Sequence, residues 1–211
     1  MKITVNIPTS LREVTLKQYQ SFEASKKTNA DTISIFLKGD SEDIRQLPAN
    51  VINSLSEDIS KLFATENVFY NKIKIGGQMF GFIPSLNDMT YGEYIDIIDN
   101  IGDWQTMHNA MAVLYRPIIT SKGKDYVIEE HHGTAKYSDV MLNMPLDVAL
   151  GAVFFLTNLQ TILLRDTLSS AIQNLTTEQQ TDLLKSGITT TQLFSSLHHL
   201  GWSSKGLQII N

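Results

Sequence analysis

Glu129, Glu130, His131 and His132 stand in one run, four donors of the kind that hold a divalent cation. Adjacent residues of an extended chain point to opposite faces, so the four do not converge as written. The chain has no H-E-x-x-H pair and no second cluster at ligand spacing. The run reads as a solvated loop. Asp96, Asp99 and Asp103 are a second acidic group. Asp96 and Asp99 share a helix face, where paired carboxylates can bind a cation or exchange protons. Asp103, however, reads as the N-cap of the next helix, and the group reads as solvent-facing. His108, among Trp104, Met107 and Met111, reads as a packed or half-buried histidine. In His198-His199 one imidazole would favour the last turn of a helix electrostatically.

The motifs of the common catalytic and nucleotide-binding turns are missing: no G-x-S-x-G, no G-x-x-x-x-G-K-[ST] and no G-x-G-x-x-G. Gly76-Gly77 reads as a hairpin turn. Tyr115-Arg116-Pro117 is an aromatic–cation–proline corner, with Arg116 expected near a helix C-terminus, where the dipole favours a cation. No catalytic, cofactor-binding or metal-ligating residue is assigned, no cofactor is expected, and the chain does not read as an enzyme.

The elements that must position these residues belong to a chain of 211 residues, 42% hydrophobic and 18% charged. That composition is globular, and the length is enough for a sizeable core. Seventeen Lys and Arg against 22 Asp and Glu leave a net charge of -5, with the cations scattered. Phosphate binding needs clustered cations, so no nucleic-acid specificity is expected. With no cysteine, disulfides, thiolate metal sites and Cys nucleophiles are excluded. The N-terminus lacks an apolar core and a small-residue cleavage site, so no secretory signal is expected. Val148 to Leu164 is the most apolar stretch, but Thr157, Asn158, Gln160 and Thr161 interrupt it well short of a span. It reads as a buried central helix, without membrane contact.

Two segments repeat. Ser10–Tyr19 aligns with Ser85–Tyr94 at an offset of 75, with Ser, Leu, Thr and Tyr identical. Each follows Ile-Pro at the end of an expected strand. Thr15 with Gln18, and Thr90 with Glu93, have the spacing of a capping box. Val14 and Met89 precede the caps, and Tyr19 and Tyr94 stand where a hydrophobic staple would close the strand-to-helix corner. Ser41–Val51 aligns with Ser138–Val148 at an offset of 97, and in each copy a helix begins at or just after the shared Pro. The larger offset is mostly a hairpin inserted over 118–136.

The expected fold is mainly α within an α+β class. Two related helical halves, residues 1–66 and 67–173, carry small β-hairpins and pack around a long helix, Leu146–Gln173. Expected strands are Lys2–Ile7, Tyr70–Ile75 and Gln78–Ile83. Expected helices include Thr15–Ser25, Asp31–Leu37, Glu42–Leu47, Ala49–Ala64, Thr90–Asn100, Trp104–Tyr115 and Tyr137–Asn143. Residues 174–211 form a helical C-terminal arm. There Phe194, Leu197 and Leu200 line one face with Trp202 just beyond, either docked on the parent domain or gripping a neighbouring subunit.

Three segments carry a resemblance: Gly81–Asp96 (GFIPSLNDMTYGEYID), Met111–Pro117 (MAVLYRP) and Met144–Phe155 (MPLDVALGAVFF). In this order the chain resembles a family of virion-morphogenesis proteins of tailed bacteriophages, from phages of Bacteroidetes and marine bacteria. The likeness covers roughly residues 1–170 and brings no catalytic residues. It implies a non-enzymatic subunit of the tail, neck or capsid interior, in the virion or in host cytoplasm during assembly. Its partners would be other phage structural proteins in a multi-subunit assembly. The alternative is a tail-assembly chaperone that binds the tape-measure or tube protein and is absent from the mature particle.

Overall fold

The structure, a computed structural model, describes residues 6–37 and 46–173, with side chains through residue 162. The chain divides into two compact units, Met1–Ala152 and Val153–Asn211. Residues of both expected halves lie in the first unit. The expected strand at Lys2–Ile7 and helix at Glu42–Leu47 fall largely outside the described residues, and the whole C-terminal arm does.

In the first unit a 3-10 turn, Leu11–Glu13, leads into α1 (Leu16–Glu23), α2 (Asn29–Phe36) and α3 (Ala49–Leu62). The hairpin β1 (Lys72–Ile75) and β2 (Gln78–Phe82) follows, then α4 (Tyr91–Ile101) and α5 (Met107–Leu114). The hairpin β3 (Tyr115–Lys122) and β4 (Asp125–Ile128) completes an antiparallel sheet in the order β1-β2-β3-β4. A 3-10 turn at Thr134–Lys136, α6 (Ser138–Met141) and the start of α7 (Leu146–Gln173) end the unit. The fold is mainly helical α+β, as expected.

Register explains the two faces of the sheet. Ile73 pairs with Phe80, Phe80 with Pro117, and Phe82 with Tyr115. Opposed residues share a face, and these side chains form the buried one. The turn between β1 and β2 is Gly76-Gly77 at φ 57° and 89°, the left-handed pair that a two-residue hairpin favours. On the other face Lys72, Gly81 and Arg116 stand in one row. The β3–β4 register shifts between Ile118 and Thr120, and such a bulge bends a hairpin. Tyr126 of β4 consequently lies over Gly81. A Cβ at Gly81 would come within 2.7 Å of the ring carbon Cδ2. The phenol donates to the carbonyls of Phe82 at 2.7 Å and Asn71 at 3.1 Å, and the Lys72 ammonium sits 4.7 Å from the ring centre. Tyr126→Phe should cost about 1 kcal/mol, the usual net value of a hydrogen bond. Gly81→Ala should cost more, because it lifts the ring off both carbonyls. Urea unfolding of the two variants gives the order.

Helix starts follow from local chemistry. Thr15, Thr28 and Thr90 each cap a helix with a complete capping box, closed by Gln18, Asp31 and Glu93. The box at Thr28 moves the start of α2 from the expected Asp31 to Asn29. Asp103 holds the turn ahead of α5, its carboxylate accepting from the Gln105 amide at 2.9 Å, so α5 begins at Met107 and not at Trp104. α3 and α7 begin directly after Pro48 and Pro145. The Pro48 carbonyl accepts from Val51 and Ile52, and the Pro145 carbonyl from Val148 and Ala149.

Two aromatic groups sit in the core. Tyr19 meets Trp104 edge-on at 4.7 Å and Phe63 at 5.7 Å, while Phe22 and Phe36 lie 5.2 Å apart. Phe82 contacts Phe69 at 4.9 Å and Tyr115 at 5.3 Å. Each such pair is worth about 0.5–1.5 kcal/mol beyond its burial. Leu146, Val148, Ala149 and Ala152 of α7 are fully buried. Gly151 lets the Val68–Phe69 backbone cross this helix at close range: a Cβ there would lie 2.9 Å from the Val68 carbonyl carbon and closer still to its oxygen.

In the second unit α7 continues from Val153. The Thr157 and Thr161 hydroxyls donate to carbonyls four residues back, both at 2.8 Å, which satisfies them within the helix. Phe154 and Ile162 are exposed. The expectation of a buried central helix is therefore corrected in part: Leu146, Val148, Ala149, Ala152 and Val153 are buried, whereas Phe154 and Ile162 are exposed. No described helix is long and apolar enough to cross a membrane.

Candidate functional site

The two corners that lead into α1 and α4 share the same set of capping hydrogen bonds, although only the first has a full 3-10 turn ahead of it. Val14 N–H donates to the Leu11 carbonyl at 3.3 Å, and Met89 N–H to that of Leu86 at 3.4 Å. Gln18 N–H donates to the Thr15 hydroxyl at 3.2 Å, and Glu93 N–H to that of Thr90 at 3.3 Å. The Gln18 and Glu93 side chains accept in return from the cap amides, at 2.9 and 2.7 Å. Each also reaches a remote element, with the chemistry its type permits. The Gln18 amide donates to the Ile35 carbonyl at 2.9 Å, whereas the second oxygen of Glu93 meets the Arg116 guanidinium at 2.5 Å.

The corners differ in what covers them. The Leu16 and Lys17 amides donate to the Met144 and Leu142 carbonyls at 2.8 and 2.9 Å, and the Leu146 amide donates to Val14 O at 2.8 Å. Thr15 and Pro145 form an isolated antiparallel bridge. The Arg12 guanidinium adds an ion pair to Asp147 at 3.2 Å. Val14, Leu16 and Leu146 are fully buried by this junction. Around the second corner Tyr91 is 79% exposed and Tyr94 51%. Tyr19 is half-buried against Trp104 and Phe63, and burial pushes its phenol well above the usual range. The matching expectation for Tyr94 is corrected: α4 turns Glu93, Ile97 and Ile101 inward, and that places Tyr91, Tyr94 and Ile98 on its outer side.

Behind this apolar stripe lies a polar network. Glu93 and Arg116 are only 5% and 7% exposed. Burial raises the Glu93 pKa, but the Thr90 hydrogen bonds, then Arg116 and His131, outweigh it and hold the carboxyl below its ordinary value. Arg116, two residues past the end of α5 as expected, is also a buried counter-ion on β3. Among the described residues its Nε finds no acceptor. One turn along α4, Asp96 accepts from His131 Nε2 at 2.8 Å.

The row of four donors separates as its extended backbone requires. Glu129 and His131 are half-buried, and Glu130 and His132 are exposed. Glu129 bonds Lys136 and the Tyr137 phenol, the latter at 2.5 Å, while His131 goes to Asp96. Among the described residues no three His, Asp or Glu side chains gather in a metal-holding group. His108 is half-buried, 3.0 Å from the Gln20 amide nitrogen, and burial lowers its pKa. Gln20 also donates to the Trp104 carbonyl at 2.7 Å, and Gln105 donates to the Gln20 carbonyl at 2.9 Å. Ile119 and Val127 are exposed on the β3–β4 hairpin. His198, His199 and the proposed contact residues Phe194, Leu197, Leu200 and Trp202 lie outside the described residues.

Sequence reasoning did not find the Glu93–Arg116 pair or the exposed stripe. Both depend on how α4 is rotated against the rest of the unit. The capping box at Thr28, in contrast, rests on a T-x-x-D spacing as local as the T-x-x-Q and T-x-x-E of the other two. The arrangement offers fixed ion pairs beneath an apolar helix face, which suits contact with another protein. No family model, no curated protein and no solved structure matches this chain.

Proposed function

We propose that this chain is a non-enzymatic assembly protein of a tailed bacteriophage, a subunit of the tail, neck or capsid interior that works by contact with other proteins. The observation that carries the reading is the stripe Tyr91, Tyr94 and Ile98, exposed on α4 while the inner side of that helix is held by the Glu93–Arg116 pair. Isolated exposed apolar residues are ordinary, but an aromatic stripe on one ordered helix face is the form of a docking surface. The sequence resemblance supplies the phage setting.

Mass spectrometry of purified virions tests the reading. Peptides of this chain at the abundance of known structural proteins are the expected result. Absence from virions, together with recovery of the chain bound to tape-measure protein in lysates, would replace the subunit with a departing tail-assembly chaperone. Absence from both would end the assembly reading.

A further inference from the structure

The first corner is covered from within the chain by the segment around Pro145. The repeat offsets assign a counterpart to each side of that junction. Thr15, Leu16 and Val14 correspond to Thr90, Tyr91 and Met89, while Pro145, Leu146 and Met144 correspond to Pro48, Ala49 and Leu47. Both counterparts are open. Thr90, Tyr91 and Gly92 are exposed, as are Pro48 and Ala49. Among the described residues no backbone hydrogen bond joins residues 89–92 to residues 46–49.

We propose that the second corner receives the Pro48 segment of a second copy of this chain, repeating between molecules the junction that Thr15 and Pro145 make within one. The Tyr91 amide would donate to the Leu47 carbonyl and the Ala49 amide to the Met89 carbonyl, as Leu16 and Leu146 donate to Met144 and Val14. Side chains change in complementary fashion. Leu16 opposite Leu146 becomes Tyr91 opposite Ala49, with bulk lost on one side and gained on the other. The ion pair Arg12–Asp147 becomes Asn87 and Asn50, both exposed and able to bond as amides. The partner surfaces differ, so the contact is head-to-tail and repeats into a ring or a filament. Its burial of Tyr91 and Met89 accounts for part of the stripe.

The proposal deepens the assembly reading and rests on it, but the two fail separately. A chain abundant in virions yet monomeric when pure would be a contact protein whose partners are other chains. Sedimentation velocity on the full chain decides. Wild type should show mass rising with concentration beyond a dimer. Tyr91→Glu and Ala49→Glu, each at an exposed first-turn site where an acid suits a helix, should each stay monomeric with an unchanged circular-dichroism melt. Mixed in equal amounts, they should form a dimer and nothing larger, because each retains the half that the other lacks. As a second route, Asn87→Arg with Asn50→Asp in one chain reinstates the ion pair and should tighten association several-fold, while Asn87→Asp with Asn50→Asp should weaken it. A monomeric wild type, association that survives both Glu variants, or a mixture that stays monomeric would overturn the proposal.

Discussion

Gly151→Ala should destabilise the chain by about 3 kcal/mol, although Gly to Ala inside a helix normally stabilises by about 1 kcal/mol. The sign reverses because the added carbon meets backbone. It would lie 2.9 Å from the carbonyl carbon of Val68 and 3.3 Å from the Cα of Phe69, and neither can rotate away as a side chain could. Relief needs the 68–69 segment to lift from α7, and Phe69, edge-on to Phe82 at 4.9 Å, would move with it. The change is large enough to lower Tm by roughly 10 °C. Gly92→Ala is the control: this helical glycine has nothing within 4 Å of its Cβ position, so Ala there should raise Tm slightly. Thermal melts of the two variants measure the contrast. A Gly151→Ala protein as stable as Gly92→Ala would show that the crossing is not as close as described.

Glu93→Gln should have an effect of similar size at neutral pH, about 3 kcal/mol, and almost none in acid. Glutamine can keep the capping box, since its oxygen still accepts from Thr90. It cannot neutralise Arg116, which is 7% exposed and, among the described residues, already short of one acceptor at Nε. Leaving one charge of a buried pair alone is the costly step. The pH dependence follows from the direction of the Glu93 shift. Its folded pKa is lowered, so the ionised carboxylate contributes stability that is fully present above the unfolded-state pKa. That contribution is lost as pH falls through the lower folded value. Wild type and Glu93→Gln should therefore differ most near pH 7 and converge in acid, where wild-type Glu93 is itself neutral. Adding Arg116→Met to Glu93→Gln should recover part of the loss, because the two residues act as a pair. Guanidinium unfolding curves across pH measure all three. A constant gap between wild type and Glu93→Gln at every pH would mean that the charge pair is not the cause.

Features whose partners lie within one helical turn were legible in the residues alone. The boxes at Thr15 and Thr90 need only a hydroxyl, an amide three positions on and a side chain that reaches back, and they formed as read. Pro145 starting a helix at Leu146 that runs to Gln173, and Gly76-Gly77 closing a hairpin, rest on equally local sterics. The mainly helical α+β class follows from these pieces.

Tertiary structure decided what the local pieces face. Two corners with the same capping bonds end differently: one is closed by Leu142–Leu146, and the other leaves Tyr91 and Tyr94 largely exposed. Arg116 found Glu93 because the fold brings β3, paired with β2 at Gly81, within reach of α4, a pairing that depends on strand order and helix rotation. Glu129 and His131 went to separate partners for the same reason. Backbone hydrogen bonding and sterics act over a few residues and are written in the order of the chain. Burial and charge pairing are set by whichever surfaces the fold brings together, and those surfaces come from residues far apart in sequence.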